Sequence, residues 1–233
     1  MSKLPAPGGA VADFLTKVAE TPTPVHAPGQ IRGRLIFALD ATASREPAWD
    51  HAARIQGEMF AATAALGGLE LQLAFFRGFG EFKVSRWVAD SAALLRLMGQ
   101  VRCAAGETQI AKVLRHAANE TRSHRVNALV LVGDAVEEDL DQLGHLAGEL
   151  GVLGLPVFAF HEGSDPVAAY AFQEIARLSR GAYCPFDASS AHQLRDLLGA
   201  VATFAVGGRK ALADYARRKG GEVRLLAKSM EGL

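Results

Sequence analysis

Three short polar clusters in this 233-residue chain have residue types and spacings that could do chemistry. Asp40, Thr42 and Ser44 set a carboxylate and two hydroxyls at alternate positions, which an extended loop turns toward one side. Gly106-Glu107-Thr108 puts a hydroxyl directly ahead of a helical segment, and Gly133-Asp134 closes the most apolar run of the sequence. Together these are carboxylates and hydroxyls only. An all-oxygen set suits a small hard cation such as Mg²⁺, which takes octahedral coordination and usually keeps some water. With few charged ligands the ion would keep much of its charge and could accept an acidic group from a partner. Each cluster also has a plainer account, because Asp, Thr and Ser after a strand are common helix N-caps and Thr108 alone could cap the helix behind it. The argument for a site rests on the three together.

The elements that must position these residues follow from the apolar periodicity. Short β-rich runs are predicted at 34–40, 69–78, 81–90, 126–134, 156–163 and 181–187. Helical segments are predicted at 47–66, 91–103, 109–121, 137–150, 166–178 and 190–204. Gly78-Phe79-Gly80 between two strand runs reads as a tight hairpin and hence an antiparallel pair. Residues 126–134 are almost continuously apolar, as expected of a strand buried on both faces. The alternation predicts an α/β fold: a Rossmann-like, doubly wound, mostly parallel sheet with one antiparallel edge strand and helices on both faces. In such a sheet ligands collect at the carboxyl ends of the strands, where the three clusters fall.

Composition narrows the class. Lys and Arg number 25 against 25 Asp and Glu, so the net charge is zero, and a protein whose whole surface binds nucleic acid is excluded. No apolar run approaches the roughly 18–20 residues needed to cross a bilayer, so no membrane partner is expected. The first residues lack the basic start and continuous apolar core of a secretory signal, which predicts a cytoplasmic protein. Cys103 and Cys184 are too few for a disulfide framework and read as reduced thiols. Three parts are expected: residues 1–30 as an N-terminal helix and Pro-rich linker, 31–206 as the folded domain, and 207–233 as a basic helical tail. The tail carries Arg209, Lys210, Arg217, Arg218, Lys219, Arg224 and Lys228 against Asp214, Glu222 and Glu231, either as a solvated face or as a surface for an acidic partner.

With these residues in place, the chain resembles the von Willebrand factor type A (VWA) domain, in particular its intracellular bacterial members. The metal-ion-dependent adhesion site (MIDAS) of that family is written Asp-x-Ser-x-Ser, then a Thr in a separate loop, then an Asp after a later strand. Asp40, Thr42 and Ser44 match the first element, Thr108 the second and Asp134 the third, over a resemblance spanning about 34–204. Thr42 stands where the family usually has Ser, keeping the hydroxyl, and Asp134-Ala135 stands where Asp-Gly is frequent. The resemblance implies a divalent ion, Mg²⁺ or Mn²⁺, on those five residues. It further implies a protein partner that donates a carboxylate, and a non-enzymatic scaffold or adaptor role. Glu46, Glu107, Glu137, Glu138 and Asp139 lie near the same edge in sequence and predict a negative rim, which Arg45 would partly offset. Such a rim calls for a partner that is basic around its coordinating group, or for Glu46 or Glu107 in the sixth position of the free protein.

Two other readings compete. A haloacid dehalogenase-like phosphohydrolase would use Asp40 and Gly133-Asp134 through Asp139, but its usual second carboxylate is Thr42 here, and a hydroxyl is no general acid. An oligomeric structural protein docking through its basic tail would instead assemble in a salt-sensitive, chelator-indifferent way. No GxGxxG, GxxxxGK[ST] or GxSxG motif occurs, and the seven histidines show no zinc-ligand spacing. Phe79 differs from the other aromatics, since a Phe at a Gly-flanked hairpin tip is a plausible contact residue.

Overall fold

The computed structural model describes residues 7–24, 32–42, 57–186 and 191–219. Its elements run α1 (Pro7–Glu20), β1 (Gly33–Asp40), α2 (Gly57–Thr63), β2 (Leu69–Arg77), β3 (Glu81–Val84), α3 (Ser91–Met98), α4 (Ile110–Ser123), β4 (Ala128–Gly133), α5 (Leu140–Leu153), β5 (Val157–Glu162), α6 (Pro166–Leu178), β6 (Ala182–Phe186) and α7 (Ala191–Lys219). The strands form one six-stranded sheet in the order β3-β2-β1-β4-β5-β6. Every pairing is parallel except β2 with the edge strand β3. The doubly wound α/β architecture expected from the alternation of the sequence is therefore observed.

Side chains alternate cleanly across the sheet. Leu35, Phe37, Leu39, Val130, Val132, Phe158 and Phe160 enter a core with α1, α2, α3 and α7. Ile36, Ala38, Leu129, Leu131, Val157 and Ala159 point the other way, against α4, α5 and α6. Because both faces are covered, the central strands are apolar through their middles, and polar residues such as Arg34, Asp40 and His161 stand toward the strand ends.

Several boundaries differ from the sequence expectation for local reasons. The run 81–90 is a short strand followed by a bulge. Ser85 pairs with Leu73, its hydroxyl accepting the Leu73 N–H at 3.0 Å, and Val88 then pairs with Leu71. Three residues on the edge side thus span two on β2, which twists the free edge out of pairing range. Helix α3 stops at Met98 because Gly99 and Gln100 close it with turn hydrogen bonds to Leu95 and Leu97. Helix α7 continues past residue 204, through a kink at Gly208 (φ 63°), as far as Lys219. Beyond the kink it buries Leu212, Tyr215 and Ala216 in the core, so the basic residues of 209–219 share a helix with core side chains.

Helix α1 also packs on the sheet. Phe14 is fully buried and meets Phe158 edge-on at 6.2 Å and Phe160 at 5.1 Å, while Arg209 of α7 donates to the carbonyls of Glu20 and Thr21. Truncating a buried aromatic in such a position removes about 3–5 kcal/mol. Phe14→Ala is expected to lower urea-denaturation stability by about that amount; a loss below about 1 kcal/mol would show that α1 stands outside the cooperative unit.

On the opposite face His116 of α4 shares a 2.7 Å hydrogen bond with Gln72 and lies edge-on to Phe82. Burial holds its imidazole below the ordinary pKa of 6.5, against a smaller opposing pull from Glu120. The folded state therefore favours the neutral ring. Its contribution to stability is complete above the unfolded value of 6.5 and is lost as pH falls through the lower folded value. Thermal melts between about pH 7.5 and about pH 5 should show a smaller acid-side loss in His116→Gln than in the wild type; equal losses would exclude this histidine as a source.

Candidate functional site: a carboxylate and hydroxyl cleft at the strand ends

The neighbouring strands β1 and β4 end side by side. Leu39 is level with Val132, which puts Asp40 level with Gly133 and Asp134 one residue beyond the sheet. A methyl group added at Gly133 would lie at ordinary contact distance, 3.8 Å, from the Asp40 Cβ but only 3.0 Å from the Phe172 ring, so glycine makes room for that ring beside the strand end. Asp40 is 2% exposed and accepts the Thr42 N–H on Oδ1 at 2.7 Å, an Asx turn that holds both side chains at the end of β1. The loop between α3 and α4 crosses over this end, with the Ala104 N–H donating to the Ala41 carbonyl.

Asp40, Thr42, Thr108 and Asp134 meet in one cleft of about 210 Å³, closed by Ala105, Gly106, Ala135 and Glu137. Ser44 lies outside the described residues, as do Arg45 and Glu46. Among the described lining residues every side-chain donor atom is oxygen and none is basic. Larger cavities exist, one of about 630 Å³ between α1, α6 and β6 and one of about 370 Å³ between α5 and α6, but neither gathers this chemistry. Among the described residues no three His, Cys, Asp or Glu side chains converge as a metal site. Two of the five oxygen-bearing side chains described in the cleft are hydroxyls and three are carboxylates, and a hard divalent ion fits such a set.

Of the acidic residues expected to form a negative rim, Glu137, Glu138 and Asp139 accept hydrogen bonds from backbone amides, and Glu46 lies outside the described residues. Thr108 and Glu137 hold each other reciprocally. The Thr108 N–H donates to Glu137 Oε2 at 2.7 Å, and the Glu137 N–H donates to Thr108 Oγ1 at 3.1 Å. Glu138 caps α4 from a distance, its two oxygens accepting the Ile110 and Ala111 N–H groups at 2.7 and 2.8 Å. Asp139 caps α5 through the Gln142 N–H. Each carboxylate sits at a helix N-terminus or a loop amide, where unpaired N–H groups and the helix dipole stabilise it. The N-cap position of α4 is Gln109, which makes no side-chain cap bond, so Thr108 does not cap that helix. Glu107 is exposed, and its N–H donates to the Gly78 carbonyl. Neither Glu137 nor Glu138 carries a local signal for this role, since each bonds to residues on the far side of a strand.

This geometry can be set against known proteins. No family model matches the chain, and no curated protein matches it in sequence. Solved structures do match in fold. The SpRpn10 VWA domain superposes with a TM-score of 0.57 at 14% identity, over 72% of this chain and 94% of that domain. The von Willebrand factor type A protein from Catenulispora acidiphila gives 0.57 at 16% identity, over 74% of this chain and 43% of its own. Proximal thread matrix protein 1 from the mussel byssus, with a zinc-occupied MIDAS motif, gives 0.58 at 13% identity, over 73% and 46%. The chain has the VWA fold. It spans nearly all of the SpRpn10 domain but less than half of the other two proteins. On a VWA fold, the cleft lies where the strands β1 and β4 hand over to their loops, and the two loops that complete it are tied together by Glu137 and Glu138.

Replacing Glu138 by Ala removes both side-chain acceptors of the first turn of α4. A lost N-terminal cap typically costs about 0.5–2 kcal/mol. Glu138→Ala is expected at the upper part of that range in urea titration, with Glu138→Gln recovering part of the loss; an unchanged midpoint in Glu138→Ala would mean that the loop is held by other bonds.

Proposed function

We propose that this chain is a VWA-family protein-interaction module whose partner binds through a divalent cation held in the cleft at the strand ends. The observation that carries the reading is the convergence of Asp40, Thr42, Thr108 and Asp134, from three separate loops, on a cleft with no basic side chain among its described lining. Ser44 completes the set by the spacing of its cluster. The mussel protein's zinc-occupied MIDAS motif supports a divalent ion on this fold, and the all-oxygen donors favour Mg²⁺ or Mn²⁺ here.

The bound ion would supply an open coordination position for a carboxylate oxygen of the partner. The chain's own residues do the rest. Asp40 is oriented by the Thr42 N–H, and Thr108 is fixed by Glu137, so the donors are positioned before any ligand arrives. Pre-positioning lowers the ordering cost of binding. Engaging Glu137, Glu138 and Asp139 on backbone amides leaves less free negative charge to repel an acidic partner. The domain limits of this module are taken as 31–206, with α1 and the helix beyond 206 packed onto it. A cytoplasmic scaffold or adaptor role without catalysis follows from the same reading.

The phosphohydrolase alternative draws no support from the site. Asp139, its last carboxylate, caps α5 and does not line the cleft, and the position of its acid is Thr42.

Calorimetry with Mg²⁺ and with Mn²⁺ tests the proposal. One site is expected in the wild type and none in Asp40→Ala or Asp134→Ala. The wild type should also gain thermal stability with added ion, by about 2.7 kcal/mol at a hundredfold excess over Kd. A wild type that binds neither ion would overturn the metal-dependent reading.

A further inference from the structure

The hairpin between β2 and β3 turns through Gly78, Phe79 and Gly80, and its tip is fixed from the loop that carries Thr108. The Gly78 carbonyl accepts the Glu107 N–H at 3.2 Å, and the Gly80 carbonyl accepts Lys112 Nζ at 2.9 Å. Gln109 Nε2 reaches the carbonyls of both Arg77 and Glu81, at 3.4 and 3.3 Å. Across the base, the Arg77 guanidinium grips the Glu81 carboxylate at 2.9 and 3.1 Å. Backbone also meets backbone here, since a Cβ at Gly106 would fall on the Gly78 carbonyl. Gly78 and Gly80 are both left-handed, with φ of 59° and 97°, so the direction of the residue between them is set by the turn.

That residue is Phe79, whose side chain is 84% exposed. Singly exposed apolar residues are ordinary on protein surfaces. Phe79 differs because hydrogen bonds tie down the residues on both sides of it, and because it stands one residue from the contact with Gly106, which lines the cleft. A ring presented rigidly loses little freedom when a partner covers it, and aromatic side chains of this kind dominate interface energetics.

We propose that Phe79 is the apolar anchor of the docking face. The partner it fits is a protein segment in which an acidic side chain, aimed at the cleft, stands beside apolar residues that cover the Phe79 ring. The inference rests on the cation-dependent reading of the cleft, which supplies the need for the acidic group. The exposed ring supplies the need for apolar neighbours. Because the hairpin tip and the Thr108 loop are bonded as one body, the spacing between the two anchoring points is constant. The partner is therefore expected to show a fixed separation between its acidic and apolar residues.

The test uses the full chain and a displayed library of short peptides, each with one fixed aspartate among random positions, selected in Mg²⁺ or Mn²⁺ and eluted first with chelator and then with acid, the two pools being kept apart. Selected peptides are expected to carry an apolar residue at a constant offset from the aspartate. Phe79→Ser is expected to weaken them about tenfold or more while binding Mg²⁺ and melting as the wild type does. Val152→Ser is the control, since Val152 is 88% exposed in the last turn of α5, just ahead of the start of β5 and so away from the strand ends at the cleft, and it should bind the peptides unchanged. Chelator-sensitive peptides that bind Phe79→Ser as well as the wild type would overturn the anchor and leave the cation reading intact. Peptides that need Phe79 but ignore chelator would support the anchor and remove the cation. A library that yields no Phe79-dependent sequence overturns the inference.

Discussion

A sheet buried on both faces can meet solvent only along its edges and at the ends of its strands, and most of this structure follows from that constraint. The middle positions of β1, β4 and β5 are filled by apolar side chains, alternately for one core and the other. Toward the carboxyl end, the first polar residue on β1 is Asp40, and the first after β4 is Asp134. Because β1 and β4 are neighbours at the centre of the sheet, their ends are adjacent, and the loops of both can reach the same small volume. The parallel pairing that requires crossover helices is thus the same feature that gathers the oxygen donors.

What the crossovers leave loose, the acidic residues tie down. The loop after β4 carries three consecutive carboxylates, and each one satisfies amide groups that the fold would otherwise leave open. Glu138 fills the position a cap residue would have taken at α4, which lets Thr108 keep its hydroxyl in the cleft. A cap drawn from the Thr108 side chain would have turned that oxygen toward the helix. The division of labour between Glu138 and Thr108 is a reason for a hydroxyl residue and a distant carboxylate to occur together at one helix start.

The features legible in the sequence are those with local signatures. Alternating apolar runs announce the strands, the Gly-flanked Phe79 announces the hairpin, and hydroxyls spaced from Asp40 mark the strand end as polar on one side. Features that depend on distant partners left no such mark. Glu138 lies 28 residues from the amide it caps, and nothing in its neighbours distinguishes it from a solvated acid. Ser85 takes over a backbone position in the β2 ladder, a substitution of side chain for main chain that periodicity does not record. The sequence marks the tail as helical but not as packed, because the residues beyond Gly208 are charged on one side while Leu212, Tyr215 and Ala216 are buried on the other.

The same distinction bears on how charge is read from a sequence near a cleft. Counting Glu107, Glu137, Glu138 and Asp139 as a rim treats every carboxylate as a free negative charge in solvent. Three of the four instead accept hydrogen bonds from amides at helix starts or loops, where the positive ends of those dipoles offset much of their field. The carboxylates that line the cleft are those of Asp40, Asp134 and Glu137, the last held by the Thr108 N–H. The acidic stretch after β4 therefore acts as part of the scaffold, tying the loop that carries Thr108 and the starts of α4 and α5 to the end of β4.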